Sequence, residues 1–191
     1  MFRWISLSGA ALLCVLLFSG CSRGGADDDK ALAGKKLPEI LLSSPAFEEG
    51  GRIPTRYTCD DENVSPALDW ENPPEGAKAF ALICDDPDAP GKVWVHWVLY
   101  DIPAETRNLP EAIDALPELE GGMMQGTNDQ HNLGYGGPCP PPGKPHRYYF
   151  KLYVLDAPTG LLPGAQKMDL LKAIKGHVIA KGQLMGLYQR G

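Results

Sequence analysis

Three apolar runs of strand length, each closed off by proline or glycine, limit what this chain can fold into more than any other feature. Residues 79–84, 93–100 and 148–155 are rich in β-branched and aromatic side chains, the signature of buried strands. Shorter runs of the same kind occupy 40–42, 67–70 and 183–188. Between them lies dense punctuation: 22 glycines and 18 prolines in 191 residues, about one position in five. That balance favours a loop-rich β architecture over a helical bundle. One helix is predicted where Leu170, Leu171, Ile174 and Val178 follow helical spacing, with Asp169 at its start and Gly176 as its stop. A second, short helix is expected over 109–116. The length allows one domain, two at most. The expected fold is a mostly β, mostly antiparallel domain with one or two helices packed outside.

The N-terminus reads as an address. Arg3 precedes an apolar stretch over 5–18, followed by Ser19-Gly20-Cys21. A positive start, a short hydrophobic run and a small-residue end form the secretory pattern. The run falls short of the about 20 apolar residues a membrane helix needs. Cys21 after Ser-Gly resembles the bacterial lipobox, in which the cysteine is lipidated and becomes the first residue. Phe18 stands where that motif usually has leucine. Ser22, in place of Asp, implies the outer membrane by the sorting rule of such lipoproteins. The expected division is therefore a signal peptide over 1–20, a tether over 21–37 beginning at lipidated Cys21, and a folded domain over 38–191. The tether holds Asp27-Asp28-Asp29 and Lys35-Lys36 with little apolar content, and is expected to stay disordered. An uncleaved N-terminal anchor is the other reading of the leader.

Two stretches carry the chemistry. Asp85-Asp86-Pro87-Asp88-Ala89-Pro90 ends one strand and leads to another carrying His96. Gly134-Tyr135-Gly136-Gly137-Pro138-Cys139-Pro140-Pro141-Pro142-Gly143 leads into His146-Arg147-Tyr148. Side chains alternate across a strand, so His146 and Tyr148 share a face, and His96 is expected to share its own with Trp94, Val98 and Tyr100. Two histidines, two carboxylates and a tyrosine can then converge beside a proline-walled loop. Taken singly, each piece is also compatible with a core histidine, an Asp-Pro turn or a connector. Cys84 reads as a small buried hydrophobe, Arg147 as a structural partner for a carboxylate, and His131 as either a rim residue or a solvated one.

Together these blocks resemble the phosphatidylethanolamine-binding protein family, also called Raf kinase inhibitor-like proteins, and most of all its bacterial YbhB/YbcL branch. Tyr57-Thr58-Cys59-Asp60, the run from Asn63 to Trp70, and Gly176 through Tyr188 fit as well. The resemblance implies a large antiparallel sheet packed on a smaller one, and a small pocket for phosphate-type anions. By position, Asp86, Asp88, His96, His146 and Tyr148 line it, with Pro141 in the wall. The helix that covers the pocket in eukaryotic members is not expected, since the sequence stops at Gly191, and kinase regulation is not carried across.

Carboxylates beside the histidines should raise their pKa, so that each imidazolium offers a charge-assisted hydrogen bond to phosphate. Amides of 134–137 are expected to add donors as a nest. Prolines freeze the loop, and one aspartate left free would meet an ammonium group. The function expected is a non-enzymatic binding protein for a phosphate-type anion or phospholipid head group, able to regulate a protein partner of unknown identity, without cofactor, anchored in the bacterial envelope and facing the periplasm. Competing functions are an inhibitor of an envelope protease and a metal-dependent hydrolase using His96, His146 and Asp86. Hydrolase signatures such as His-Glu-x-x-His and Gly-x-Ser-x-Gly are absent. The calcium-loop-like start at Asp86 meets Trp97 at its twelfth position. A net charge of −6 argues against a nucleic-acid face. With Cys14 in the leader and Cys21 lipidated, Cys59 and Cys139 in loop-like contexts are expected to pair in an oxidising compartment, leaving Cys84 free; three free thiols are the alternative.

Overall fold

A computed structural model describes Leu32 and residues 37–191. The leader, Cys21 and most of the tether lie outside the described residues. Leu32, within the stretch expected to be a tether, packs partly buried against the helix-side core. Among the described residues no helix is long and apolar enough to cross a membrane.

The three long runs form the centre of a five-stranded antiparallel sheet. β1 is Leu42–Ser43, β2 Leu68–Trp70, β3 Ala79–Asp86, β4 Trp94–Pro103 and β5 Asn108–Leu109. β6 is Met124–Gln125, β7 His146–Leu155, and β8 Val178–Tyr188. The large sheet runs β6-β4-β3-β7-β8, and β1-β2-β5 make the small one. β3 pairs on both sides, and all eight of its residues are buried because both faces of the sheet are covered. One face sets Phe80, Leu82, Trp97, Phe150 and Leu152 against Leu42, Leu68 and Trp70 of the small sheet. The other sets Ala81, Ile83, Val98, Tyr100 and Leu155 against Leu170, Leu171 and Ile174 of the helix.

That helix, α1, spans Lys167–Ala173. Gln166 caps it, and the Asp169 carboxylate accepts the Gln166 N–H at 3.1 Å, so Asp169 sits one turn inside the start. Gly176 adopts a positive φ of 86° and ends the helical path. Val178, expected on the helix, opens β8 instead. The helix expected over 109–116 does not form: Ser65 takes its backbone donors, accepting Ala112 N–H on its carbonyl and Ile113 N–H on its hydroxyl. Pro110 and Pro117 bracket the stretch, and each disfavours helical geometry in the residue before it.

Gly186 on β8 lies opposite Tyr148 and shows how closely the two layers meet. A Cβ there would stand 2.5 Å from Ile53 Cγ1 and 2.8 Å from Phe47 Cε2. Both partners are core residues, so the clash must be absorbed by displacing packed side chains. Gly186→Ala should destabilise the fold by about 1–3 kcal/mol, read as a lower urea midpoint at unchanged slope; an unaltered midpoint would contradict this packing.

Candidate functional site

The site stands at the end of the large sheet where β3 stops, β4 starts and β7 starts. Its key device is a bulge. Cys84 pairs with Trp97, and the next residue, Asp85, pairs with Val95, so His96 is the extra residue on β4. The bulge corrects the expected alternation. Val98 and Tyr100 face the helix, whereas Trp94 and His96 face the opposite side with His146 and Tyr148. An unbroken strand would have aimed His96 at the helix.

Each histidine is held by one ring nitrogen. His96 Nδ1 lies 2.5 Å from the Gly136 carbonyl, and the Gly136 N–H donates back to the His96 carbonyl at 2.8 Å. A carbonyl only accepts, so Nδ1 carries the proton and Nε2 is the ring atom left for the cleft. His146 Nδ1 donates to Asp86 Oδ2 at 2.8 Å, and Asp86 Oδ1 accepts the Asp88 N–H at 2.7 Å. The Tyr148 ring meets His96 edge to face, centroids 5.2 Å apart. Its hydroxyl is buried without a hydrogen-bond partner of sound geometry. Burial, with the Asp86 charge beside it, drives the phenol pKa far above its ordinary value, so this hydroxyl stays protonated.

These groups line a cleft of about 240 Å³ together with Ala89, Pro90, Trp94, Gln130, Cys139, Pro140 and Pro141. Five of the six expected residues thus meet: Asp86, His96, Pro141, His146 and Tyr148. Asp88 does not line the cleft. Its carboxylate is clasped by Arg147, with Nη2 to Oδ1 at 2.6 Å and Nε to Oδ2 at 2.8 Å, and it also accepts the Arg147 N–H. Arg147 is therefore the structural partner expected of it, and the hydrogen bonds it donates hold Asp88 below the usual carboxylate pKa. No aspartate is left free for an ammonium group, because Asp86 is bonded to His146.

Two further expectations are corrected. The amides of Gly134, Gly136 and Gly137 donate to the Gly126 carbonyl, the His96 carbonyl and Asn63 Oδ1. They hold the loop in place and form no nest. Nor are both imidazoles kept cationic: burial lowers the His96 pKa and outweighs the Gly136 carbonyl and the charges of Asp86 and Asp85. Among the described residues no three His, Cys, Asp or Glu side chains are grouped to hold a metal ion. Cys59 and Cys139 form a disulfide, and Cys84 is free and buried.

Trp94 and Gln130 are cleft residues that the sequence did not single out for this role. A regular polar loop gives no sign that Gln130 will fold over Gly136. His131 lies outside this cleft and lines a larger one, about 440 Å³, beside α1. Several polar groups there are already paired: Lys92 with Asp129 at 2.9 Å, Thr127 with the Gly164 carbonyl, Asn128 with the Gly134 carbonyl. The smaller cleft holds the unspent donors, and it is the better candidate.

Comparison with known proteins agrees with this geometry. The family model described as phosphatidylethanolamine-binding protein matches residues 43–189. The chain belongs to the phosphatidylethanolamine-binding protein family. A UPF0098 protein of Methanothermobacter thermautotrophicus is 54% identical over 150 residues, covering 78% of this chain and 99% of its own length. One from Aquifex aeolicus is 46% identical, covering 83% and 92%. Crystal structures of a phosphatidylethanolamine-binding protein homologue from Chlamydia trachomatis and of E. coli YbcL superpose with TM-scores of 0.73 and 0.74. Their identities are 37% and 32%, and each match covers 80% of this chain and 99% of the other. The two-sheet architecture with one helix is this family's fold.

The Asp88–Arg147 clasp joins the turn after β3 to the start of β7, directly beside His146. Both side chains are about one-third exposed, so solvent screens the pair and Asp88→Asn should cost roughly 1 kcal/mol or less. The folded pKa of Asp88 is depressed below its ordinary 3.8, so this stability is present above that value and is lost as pH falls through the folded value. Denaturation of wild type and variant should therefore differ near neutrality and converge in acid; a gap that persists in strong acid would refute the clasp.

Proposed function

We propose that this protein is a non-enzymatic binding protein whose cleft takes a phosphate-type anion, the head group of a phospholipid or a free phosphate ester. The observation that supports this most is the convergence of His96, His146 and Tyr148 on one small cleft whose acids are already committed elsewhere. Both Asp86 oxygens already accept a hydrogen bond, from His146 and from the Asp88 amide, and the buried Tyr148 O–H is a donor still without a partner. Tyr148 supplies a permanent O–H. The imidazoles supply Nε2–H when protonated, as charge-assisted donors to phosphate oxygens. The stiff wall of prolines lowers the entropy lost on binding. Membership of the phosphatidylethanolamine-binding protein family fits the same chemistry. The sequence of the leader supports export and lipidation at Cys21, with the domain facing the periplasm from the outer membrane.

The sign of the pH dependence follows from His96. Its pKa in the free protein lies below the ordinary 6.5, and an anion favours the charged ring. The affinity gained from His96 is thus complete below that lowered value and lost as pH rises from it through the higher value of the anion-bound ring. Charging the buried ring also opposes folding, so stability falls as pH falls through the lowered value, and a bound anion offsets that loss. Inorganic phosphate should raise the melting temperature more at about pH 5.5 than at about pH 7.5, although phosphate itself gains charge with pH. His146→Ala should weaken binding at least tenfold. A pH-independent thermal shift, or calorimetry showing no binding in the millimolar range, would overturn the reading. With no aspartate free for an ammonium, phosphate and phosphoethanolamine should bind within a fewfold of each other.

A further inference from the structure

The cleft wall formed by Cys139, Pro140 and Pro141 belongs to a segment that its own backbone cannot secure. Pro138, Pro140, Pro141 and Pro142 have no amide hydrogen to donate. Its ties are few. The Gly137 N–H donates to Asn63 Oδ1 at 2.8 Å and the Cys59 N–H to the Pro138 carbonyl at 3.1 Å. Gln189 Nε2 donates to the Gly143 carbonyl at 2.6 Å. The covalent tie is the Cys59–Cys139 disulfide, which spans a sequence separation of 80. Both cysteines are exposed, so a reductant can reach the bond. Cys139 lines the cleft and Cys59 does not.

We infer that this disulfide is a thiol–disulfide exchange site whose state sets the anion affinity of the cleft, with a dithiol reductant as co-reactant. The inference rests on the anion reading above. A thiolate of the dithiol attacks Cys59 Sγ, forming a mixed disulfide as the Cys59–Cys139 bond breaks. Cys139 departs as the thiolate, its sulfur 4.0 Å from Nη1 of the Arg190 guanidinium, whose other nitrogens pair with Asp60. Asp60 and Asp61 follow Cys59 and make it the poorer leaving group. The second thiol of the reductant then attacks its own sulfur in the mixed disulfide and releases Cys59. Two electrons pass from the dithiol to the protein, the reductant ends as its internal disulfide, and its two protons end on Cys59 and Cys139. Once freed, the wall keeps its proline-set backbone angles but loses its covalent anchor to the 55–63 segment, leaving the two hydrogen bonds to Asn63 and Cys59, and the cleft loses preorganisation. Cys84, fully buried in the sheet, takes no part.

The coupling is reciprocal: whatever factor reduction costs phosphate binding, saturating phosphate must impose on reduction. A tenfold factor corresponds to about 30 mV for this two-electron couple. The test titrates inorganic phosphate into the intact protein before and after dithiothreitol treatment. Peptide-resolved alkylation reports Cys59 and Cys139, and far-UV circular dichroism reports the fold. The expected result is a retained spectrum, phosphate binding weakened at least tenfold on reduction, and a disulfide that phosphate protects by the same factor. The variant Cys59→Ser/Cys139→Ser should match the reduced protein. Equal affinity in both states overturns the inference, as does a reduced chain that loses its spectrum, since the tie would then be global. An oxidised protein that fails to bind phosphate overturns the anion reading itself, and the two failures are distinct because the oxidised arm is measured first.

Discussion

One inserted residue on β4 decides what this sheet can do. Without the bulge at His96, regular alternation would place its imidazole beside Val98 and Tyr100, against α1, where a titratable ring has no ligand to meet. With it, Trp94 and His96 turn to the side of His146 and Tyr148, while Val95 still covers the helix face. The bulge is held from outside the ladder: Gly136 both donates to and accepts from His96, and Asp129 accepts the Val95 N–H at 2.8 Å. The glycine-rich loop is therefore a brace for the histidine, and its amides are spent on that task.

The neighbouring strand end solves an electrostatic problem. Asp85 and Asp86 are consecutive and buried, and alternation sends them to opposite faces of β3. Asp85 meets Lys151 and Lys167 on the helix side; Asp86 meets His146 on the cleft side. Two adjacent buried carboxylates would repel strongly if left bare, and a pair broken by removing one partner leaves an uncompensated charge. Dividing them between two sets of partners gives each carboxylate its own cation or imidazole, on opposite faces of the strand. Asp88, one turn further on, is neutralised at the surface by Arg147. What is left over in the cleft is the free end of His96 and the unpaired Tyr148 hydroxyl.

The parts visible in the sequence were those with local signals. Buried strands announce themselves through β-branched and aromatic runs, and the proline loop through its composition, so the two-sheet fold was legible and five of the six residues expected at the cleft line it. The rest depended on partners distant in sequence. A bulge leaves no mark in the alternation of a strand that is apolar on both faces. The stretch over 109–116 was expected to be a short helix, yet Ser65 accepts the amides of Ala112 and Ile113. Asp86 and Asp88 look equivalent in Asp-Pro-Asp, and only the position of Arg147 separates them. Burial, a property of the assembled core, turned the expected upward shift of the His96 pKa into a downward one.

The central claim is that the His96 imidazole gains a proton when an anion arrives, and nuclear magnetic resonance of its ring nitrogens tests it most directly. Titrating the His96 resonances with pH, with and without saturating phosphate, should show the His96 pKa moving upward on binding while its Nδ1 stays bonded to Gly136. Superimposable titration curves with and without phosphate would contradict the account.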